Sequence, residues 1–186
     1  MDIGFCMCGS FCTFSEVLPV MEIVAKKHRV IPIFSFASAS IDSRFGSAKD
    51  HLQRAEIICG QKPLQSIQEV EPIGPKKLLD ALIIAPCTGN TLAKLAHSIA
   101  DTPVTMAAKS HLRNGRPVIV AISTNDALAG TAENIGKLLA RRNYYFVPFG
   151  QDDPAGKPTS MVAKFSLIPE TLDDALEGHQ IQPILR

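Results

Sequence analysis

The 186-residue sequence predicts a single-domain α/β fold over residues 1–186: a doubly wound, mostly parallel sheet between two helical layers, a Rossmann-like or flavodoxin-like three-layer sandwich. Three observations predict it. Ala81-Leu82-Ile83-Ile84-Ala85 and Val118–Ile122 are apolar runs without alternation, the pattern of strands buried on both faces of a parallel sheet. Each run stops at small polar residues, after which apolar residues return at helical spacing, so the repeating unit is strand, polar loop, helix. The length suits one core, and no internal repeat or linker divides the chain.

Taken in order, Ile3–Met7 is the first strand; Cys8-Gly9-Ser10 turns the chain, and Val17, Val20, Met21 and Val24 mark a helix. Thr13 and Glu16 have capping-box spacing, and Pro19 is expected to kink or delay that helix. Val30–Phe36 reads as a strand in which Pro32 points to an edge position or an irregularity, running out into a polar loop, Ser35–Ser40. Ser47 caps a helix that continues to about Ile58 and ends at Gly60. Pro63–Lys77 is too punctuated for more than one helical turn. The central strand at Ala81–Ala85 leads through Pro86–Thr91 into a helix carrying Leu92, Leu95, Ala96 and Ile99.

Asp101 caps a helix opened by Thr102-Pro103 and running to about Leu112. After Val118–Ile122, Thr131 begins a helix with Ile135, Leu138 and Leu139 inward and Arg141-Arg142 at its C-terminal end. Tyr144–Phe149 is the last clear strand. Gly150–Thr159 is rich in Gly, Pro and Asp, and a loop of that length in a compact domain is more often functional than idle. A final helix spans about Pro169–Glu177.

Composition narrows the function. A net charge of +1 gives no basic footprint for nucleic acid. No apolar run approaches transmembrane length, and Met1-Asp2 leads straight into a strand-like segment without a signal sequence, so a cytoplasmic location is expected. Cys6, Cys8 and Cys12 have no companion cluster that completes a metal site, and they read as buried thiols; no metal is expected. The histidines are scattered, and no nucleophile–base pair or P-loop is present, which argues against hydrolysis. The G-x-G-x-x-G fingerprint is also missing, which argues against a dinucleotide site.

The chemistry is expected at the strand ends. Gly9, Ser10, Ser35, Thr88, Gly89, Asn90, Thr91, Ser123 and Asn125 all follow strands, and in a doubly wound sheet those ends converge on one edge. They offer hydroxyls, amides and backbone N–H groups with few charges, which suits the phosphate of a mononucleotide such as FMN. Each turn read alone is equally an ordinary capped turn. Arg44, beside Phe45, is either a solvated loop cation or an anion contact.

Cys8-Gly9-Ser10, Ala85-Pro86-x-x-x-Asn90-Thr91-x-x-Lys94 and the strand end Val118–Asn125 resemble the flavoprotein superfamily of FMN-dependent cysteine and phosphopantothenoylcysteine decarboxylases and flavin prenyltransferases. Other strings, Arg44-Phe45-Gly46, Leu112-Arg113-Asn114-Gly115, Asn125-Asp126-Ala127-Leu128, Tyr145–Asp152 and Lys157-Pro158-x-Ser160-Met161-Val162-Ala163, are similar to its family of dipicolinate synthase B subunits. The decarboxylases carry a catalytic His before the central strand and a Cys in the late loop; here Pro72 and Phe149-Gly150 stand near those places, so a decarboxylase of that mechanism is not expected. Cys6 and Cys8 also replace the Gly and Thr more usual in the first turn.

The resemblance implies a subunit that assists dehydrogenation of dihydrodipicolinate, or its hydrated precursor, to dipicolinate in the mother cell of a sporulating bacterium. NAD(P) then belongs on the partner A subunit and FMN at the strand ends, with Arg44, Arg113 or Lys157 on the substrate carboxylates. It also implies a homo-oligomer, a trimer or a multiple of one. The alternative is a non-catalytic partner that stabilises or regulates the A subunit. No residue stands out as a general base.

Overall fold

The computed structural model describes residues 1–186. Strands β1 (Asp2–Met7), β2 (Arg29–Phe34), β3 (Ala81–Cys87), β4 (Val118–Thr124) and β5 (Tyr144–Phe146) run parallel in the order β2-β1-β3-β4-β5. The register places Ile3 beside both Val30 and Ala81, Leu82 beside Val118, and Val118 beside Tyr144. All seven residues of β3 are buried, as its unbroken apolar sequence requires. β2 is the edge strand that Pro32 predicted, since a residue without an N–H is best placed where fewer ladder bonds are needed.

Eight helices cover the sheet: α1 (Phe14–Ala25), α2 (Phe36–Ser40), α3 (Ala48–Cys59), α4 (Ile67–Val70), α5 (Gly89–Ala96), α6 (Pro103–Leu112), α7 (Ala132–Leu139) and α8 (Ile168–Leu176). α1 packs with α3 and α8, while α5 packs with α6 and α7, and α4 with α6. Local chemistry sets several boundaries. Ser47 accepts the N–H of Asp50 at the start of α3, and Gly60 ends that helix at φ +60°, a left-handed conformation that costs glycine nothing. None of these helices is long and apolar enough to cross a membrane.

Several elements depart from the sequence expectation. Pro19 lies inside α1 without ending it; the carbonyl it leaves unpaired belongs to Ser15, on the exposed face where water serves as donor. The Thr13 hydroxyl does not cap α1 but donates to the Ser10 carbonyl. Ser35–Ser40 is not a loop: Ser35 caps the short helix α2, and β2 stops at Phe34. Thr102, not Asp101, caps α6, because Asp101 is held by Lys94 at 2.8 Å. Leu139 is exposed rather than inward. Cys12 is exposed, whereas Cys6 and Cys8 are buried as expected.

Tyr144–Phe149 is not one strand, and it is not the last. After β5 the chain forms an antiparallel hairpin, β6 (Phe149–Gly150) and β7 (Met161–Ala163), and β7 pairs antiparallel with Ser123 and Thr124 of β4. The outer edge of β4 is therefore shared. Its first half pairs with β5 and its carboxyl end with β7, which folds the 151–160 segment back over the strand ends.

Candidate functional site

In the order β2-β1-β3-β4-β5 the chain reverses direction across the sheet between β1 and β3, and the crevice beyond those carboxyl ends is where such sheets bind ligands. A cleft of about 890 Å³ lies there, within the range of small-molecule sites. Gly9 and Ser10 after β1, Thr88 after β3, and Ser123, Thr124 and Asn125 at the end of β4 form its base; Arg44 and Phe45 close one side, and Asp152, Lys157 and Ser160 of the hairpin segment another. Gly9, Ser10, Thr88, Ser123, Asn125, Arg44 and Lys157 thus share one surface, as the sequence predicts.

Other expected residues are spent elsewhere. The Ser35 hydroxyl accepts the Ser38 N–H at 3.2 Å and meets the Ser38 hydroxyl at 3.0 Å, so it serves α2 and does not line the cleft. Thr91 is buried and donates to the Cys8 sulfur at 3.4 Å, and Asn90, at the outer start of α5, is exposed. Space over Gly89 is already filled: a Cβ there would fall 2.7 Å from Thr131 Oγ1, 2.8 Å from Thr124 Oγ1 and 2.9 Å from Asp126 Oδ1. Gly89 lets the loop after β4 approach α5. Arg113 does not reach the cleft at all; it lines a separate cavity with Arg141 and Tyr144, beside the segments that lead into β4 and β5.

The hydrogen bonds decide which donors remain for a ligand. Thr91 gives its one hydroxyl proton to Cys8, so in the 3.1 Å contact with Thr88 the Thr88 hydroxyl must be the donor and has none to spare. Thr124 is likewise committed to Asp126, whose carboxyl is held below the usual range first by that hydroxyl and then by Thr131. Ser10 and Ser123 meet at 2.7 Å across the end of β3. Two hydroxyls sharing one bond leave one proton, for which the protein offers only a long contact, the Cys12 sulfur 3.9 Å from the Ser10 hydroxyl. To that proton the cleft adds the Gly9 N–H, which makes no protein hydrogen bond, and the Asn125 side-chain amide.

Charge in the cleft is balanced and sits at the rim. Arg44 stacks over the Phe45 ring at 4.8 Å and has no carboxylate partner. Lys157 lies 3.3 Å from Asp152, whose carboxyl is held low by the Ser160 hydroxyl first and then by Lys157. Glu16 is the other carboxylate in the lining. A mononucleotide phosphate fits this donor set: a backbone N–H, a hydroxyl proton and an amide at the base, with a free guanidinium above. A nucleophile–base pair is missing: the exposed Cys12 thiol lines the cleft, but no histidine lines it to serve as a base, and the Cys8 thiol, which is outside the lining, is pushed up to about 11 by burial.

Glu16, Thr124, Asp152 and Ser160 also line the cleft; the sequence set Glu16 in a capping box and the other three in family-like strings, but marked none of them as a ligand contact. The breaker-rich Gly150–Thr159 segment and the family-like string from Lys157 signalled that something beyond Phe149 belonged to the site; β7, three residues long, is too short to stand out as a strand.

Comparison with known proteins bears on the same architecture. The chain is 46% identical over 184 residues to the B subunit of dipicolinate synthase from Bacillus subtilis (strain 168), covering 98% of this chain and 92% of that protein. A crystal structure of the dipicolinate synthase B subunit from Bacillus halodurans C superposes with a TM-score of 0.91 at 44% identity, covering all of this chain and 95% of the other. The FMN-dependent cysteine decarboxylase SpaF shares the fold alone, with a TM-score of 0.69 at 21% identity over 94% of this chain and 97% of its own. Residues 1–169 match the model of the family described as Flavoprotein, and the chain belongs to that family.

Proposed function

We propose that this chain acts as the B-type subunit of a dipicolinate synthase, holding FMN by its phosphate in the cleft and assisting, with an A subunit that carries NAD(P), the dehydrogenation of dihydrodipicolinate or its hydrated precursor. The observation that carries the flavin part is the convergence of the Gly9 N–H, the Ser10–Ser123 hydroxyl pair and Asn125 at the β1/β3 crevice. The overall identity is supported by the similarity to the B subunit of dipicolinate synthase along nearly the whole chain. FMN, when bound, supplies a two-electron acceptor and donor. Arg44 and Lys157, both on the cleft wall, bind and orient the substrate carboxylates. In a sporulating bacterium the site of action is the mother-cell cytoplasm.

The assembly is a homo-oligomer, a trimer or a multiple of one. Phe36, Ile41 and Phe45 are exposed apolar residues on and beside the cleft wall, and a second copy covers them. A strictly monomeric mass by light scattering would overturn this part.

Titration of the purified chain with FMN, read by quenching of flavin fluorescence, tests the site. Saturable binding that Ser10→Ala weakens roughly tenfold is expected, since a charge-assisted hydrogen bond is lost. Absence of saturation up to about a millimolar, with the chain still associating with the A subunit, would replace this reading by that of a non-catalytic partner.

A further inference from the structure

The cavity that holds Arg113 is not part of the cleft. It has a volume of about 410 Å³, and shares no lining residue with it. Its walls are the last turn of α5 (Leu95) and the segment after it (Ser98, Ile99, Ala100), the α6 face carrying Thr105, Lys109 and Leu112, and Tyr144 at the start of β5. Three cations converge there, Lys109, Arg113 and Arg141, and no Asp or Glu lines it. Lys109 and Arg113 make no ion pair or side-chain hydrogen bond in the structure, although they sit four residues apart on one helix face, where like charges repel.

The dipole of α6 favours cations in its last turn and accounts for that pair. It does not account for Arg141, which comes from the other side, after α7. That guanidinium caps the C-terminal end of α5 and is fixed in place: Nη1 donates to the Leu95 carbonyl at 3.0 Å and to the Ser98 hydroxyl at 3.4 Å, and Nη2 to the Ala96 carbonyl at 2.6 Å, leaving Nε and one Nη2 proton for another acceptor. Tyr144 is buried with its pKa raised to about 12 by burial, which Arg141 opposes, so its hydroxyl stays a neutral donor near the same group. Leu95, Ile99, Leu112 and the Tyr144 ring line the same cavity.

We propose that this cavity is a second binding site, independent of the flavin reading, that takes a small aromatic dicarboxylate: one carboxylate on Lys109 and Arg113, the other on Arg141, and the flat apolar body against Leu95, Leu112 and Tyr144. Cations delivered by two different elements into one partly apolar cavity match such a diacid better than a compact anion such as phosphate, which would leave the apolar wall uncovered.

The test is a titration of the full ¹⁵N-labelled chain with isophthalate, benzene-1,3-dicarboxylate, followed by amide chemical shifts and by calorimetry. The expected result is saturable shifts at residues around 95–113 and 141–144, with the affinity read there weakened roughly tenfold by Lys109→Gln and by Arg113→Gln and unchanged by Lys27→Gln, an exposed cation outside both cavities. Both substituted residues are exposed, so the fold is retained, which unchanged thermal midpoints verify. The neutral diamide of the same ring should fail to bind. The proposal is overturned if isophthalate does not saturate below about 10 mM, if the diamide binds equally, if inorganic phosphate binds as tightly, or if Lys109→Gln and Arg113→Gln both leave the shifts around 95–113 and 141–144 intact.

Discussion

Acidification should destabilise this fold through one imidazole. His111 is fully buried in α6, its Nε2 lies 3.0 Å from the Pro117 carbonyl oxygen, and its Nδ1 has no partner. The ring is therefore neutral, with the proton on Nε2 donated to Pro117, and burial is the main force pulling its pKa from 6.5 down to about 4. Protonation would place a second N–H, on Nδ1, where nothing accepts it. Because the native pKa lies below the unfolded one, the unfolded chain binds the extra proton first; stability is whole above about pH 6.5 and falls as the pH drops towards 4. At about 1.4 kcal/mol per pH unit the loss is capped at roughly 3 kcal/mol, and about 2.5 kcal/mol of it is gone by pH 4.5. For a domain of this size that is a fall of roughly 5–10 °C in Tm.

Thermal unfolding at pH 7 and pH 4.5 should be compared for the parent chain and His111→Gln, whose amide still offers an N–H to Pro117 but does not titrate. The variant should lose roughly 2.5 kcal/mol less on acidification. The low-lying carboxyls of Asp101, Asp126 and Asp152 and the buried His51 also lose stability in acid, but they are common to both proteins and cancel in the difference. An identical pH dependence in the two proteins, or an imidazole titration of His111 near 6.5 by NMR, would refute the assignment.

Gly89→Ala should cost about 1–3 kcal/mol, because three oxygen atoms already occupy the Cβ position; a urea midpoint within error of the parent would show that the loop after β4 gives way freely. The same variant should weaken FMN binding, since the displaced loop carries Thr124 and Asn125 of the cleft. Arg141→Ala should destabilise the last turn of α5 by about 1–2 kcal/mol, read as faster amide exchange at the end of that helix, with little change at the end of α7 to which Arg141 is nearest in sequence.

What the sequence determined by itself is whatever local physics encodes. Unbroken apolar runs at Ala81–Ala85 and Val118–Ile122 require strands covered on both faces, Ser47 and Gly60 set the ends of α3, and Pro32 selects the sheet edge. Small polar residues after the strands located the cleft for the same reason, because parallel strands must deliver their ends to one edge. Tertiary structure decided which of those polar groups are free. Ser10 meets Ser123 across 113 residues, and Thr91 meets Cys8 across 83, so whether a hydroxyl keeps a proton for a ligand depends on partners that no local pattern reveals. Arg113 shows the same limit. It belongs to a string that is similar to the B-subunit family, yet α6 carries it to the end of the sheet where β4 begins, and side-chain chemistry alone does not say at which end of a sheet a helix will deliver its charge.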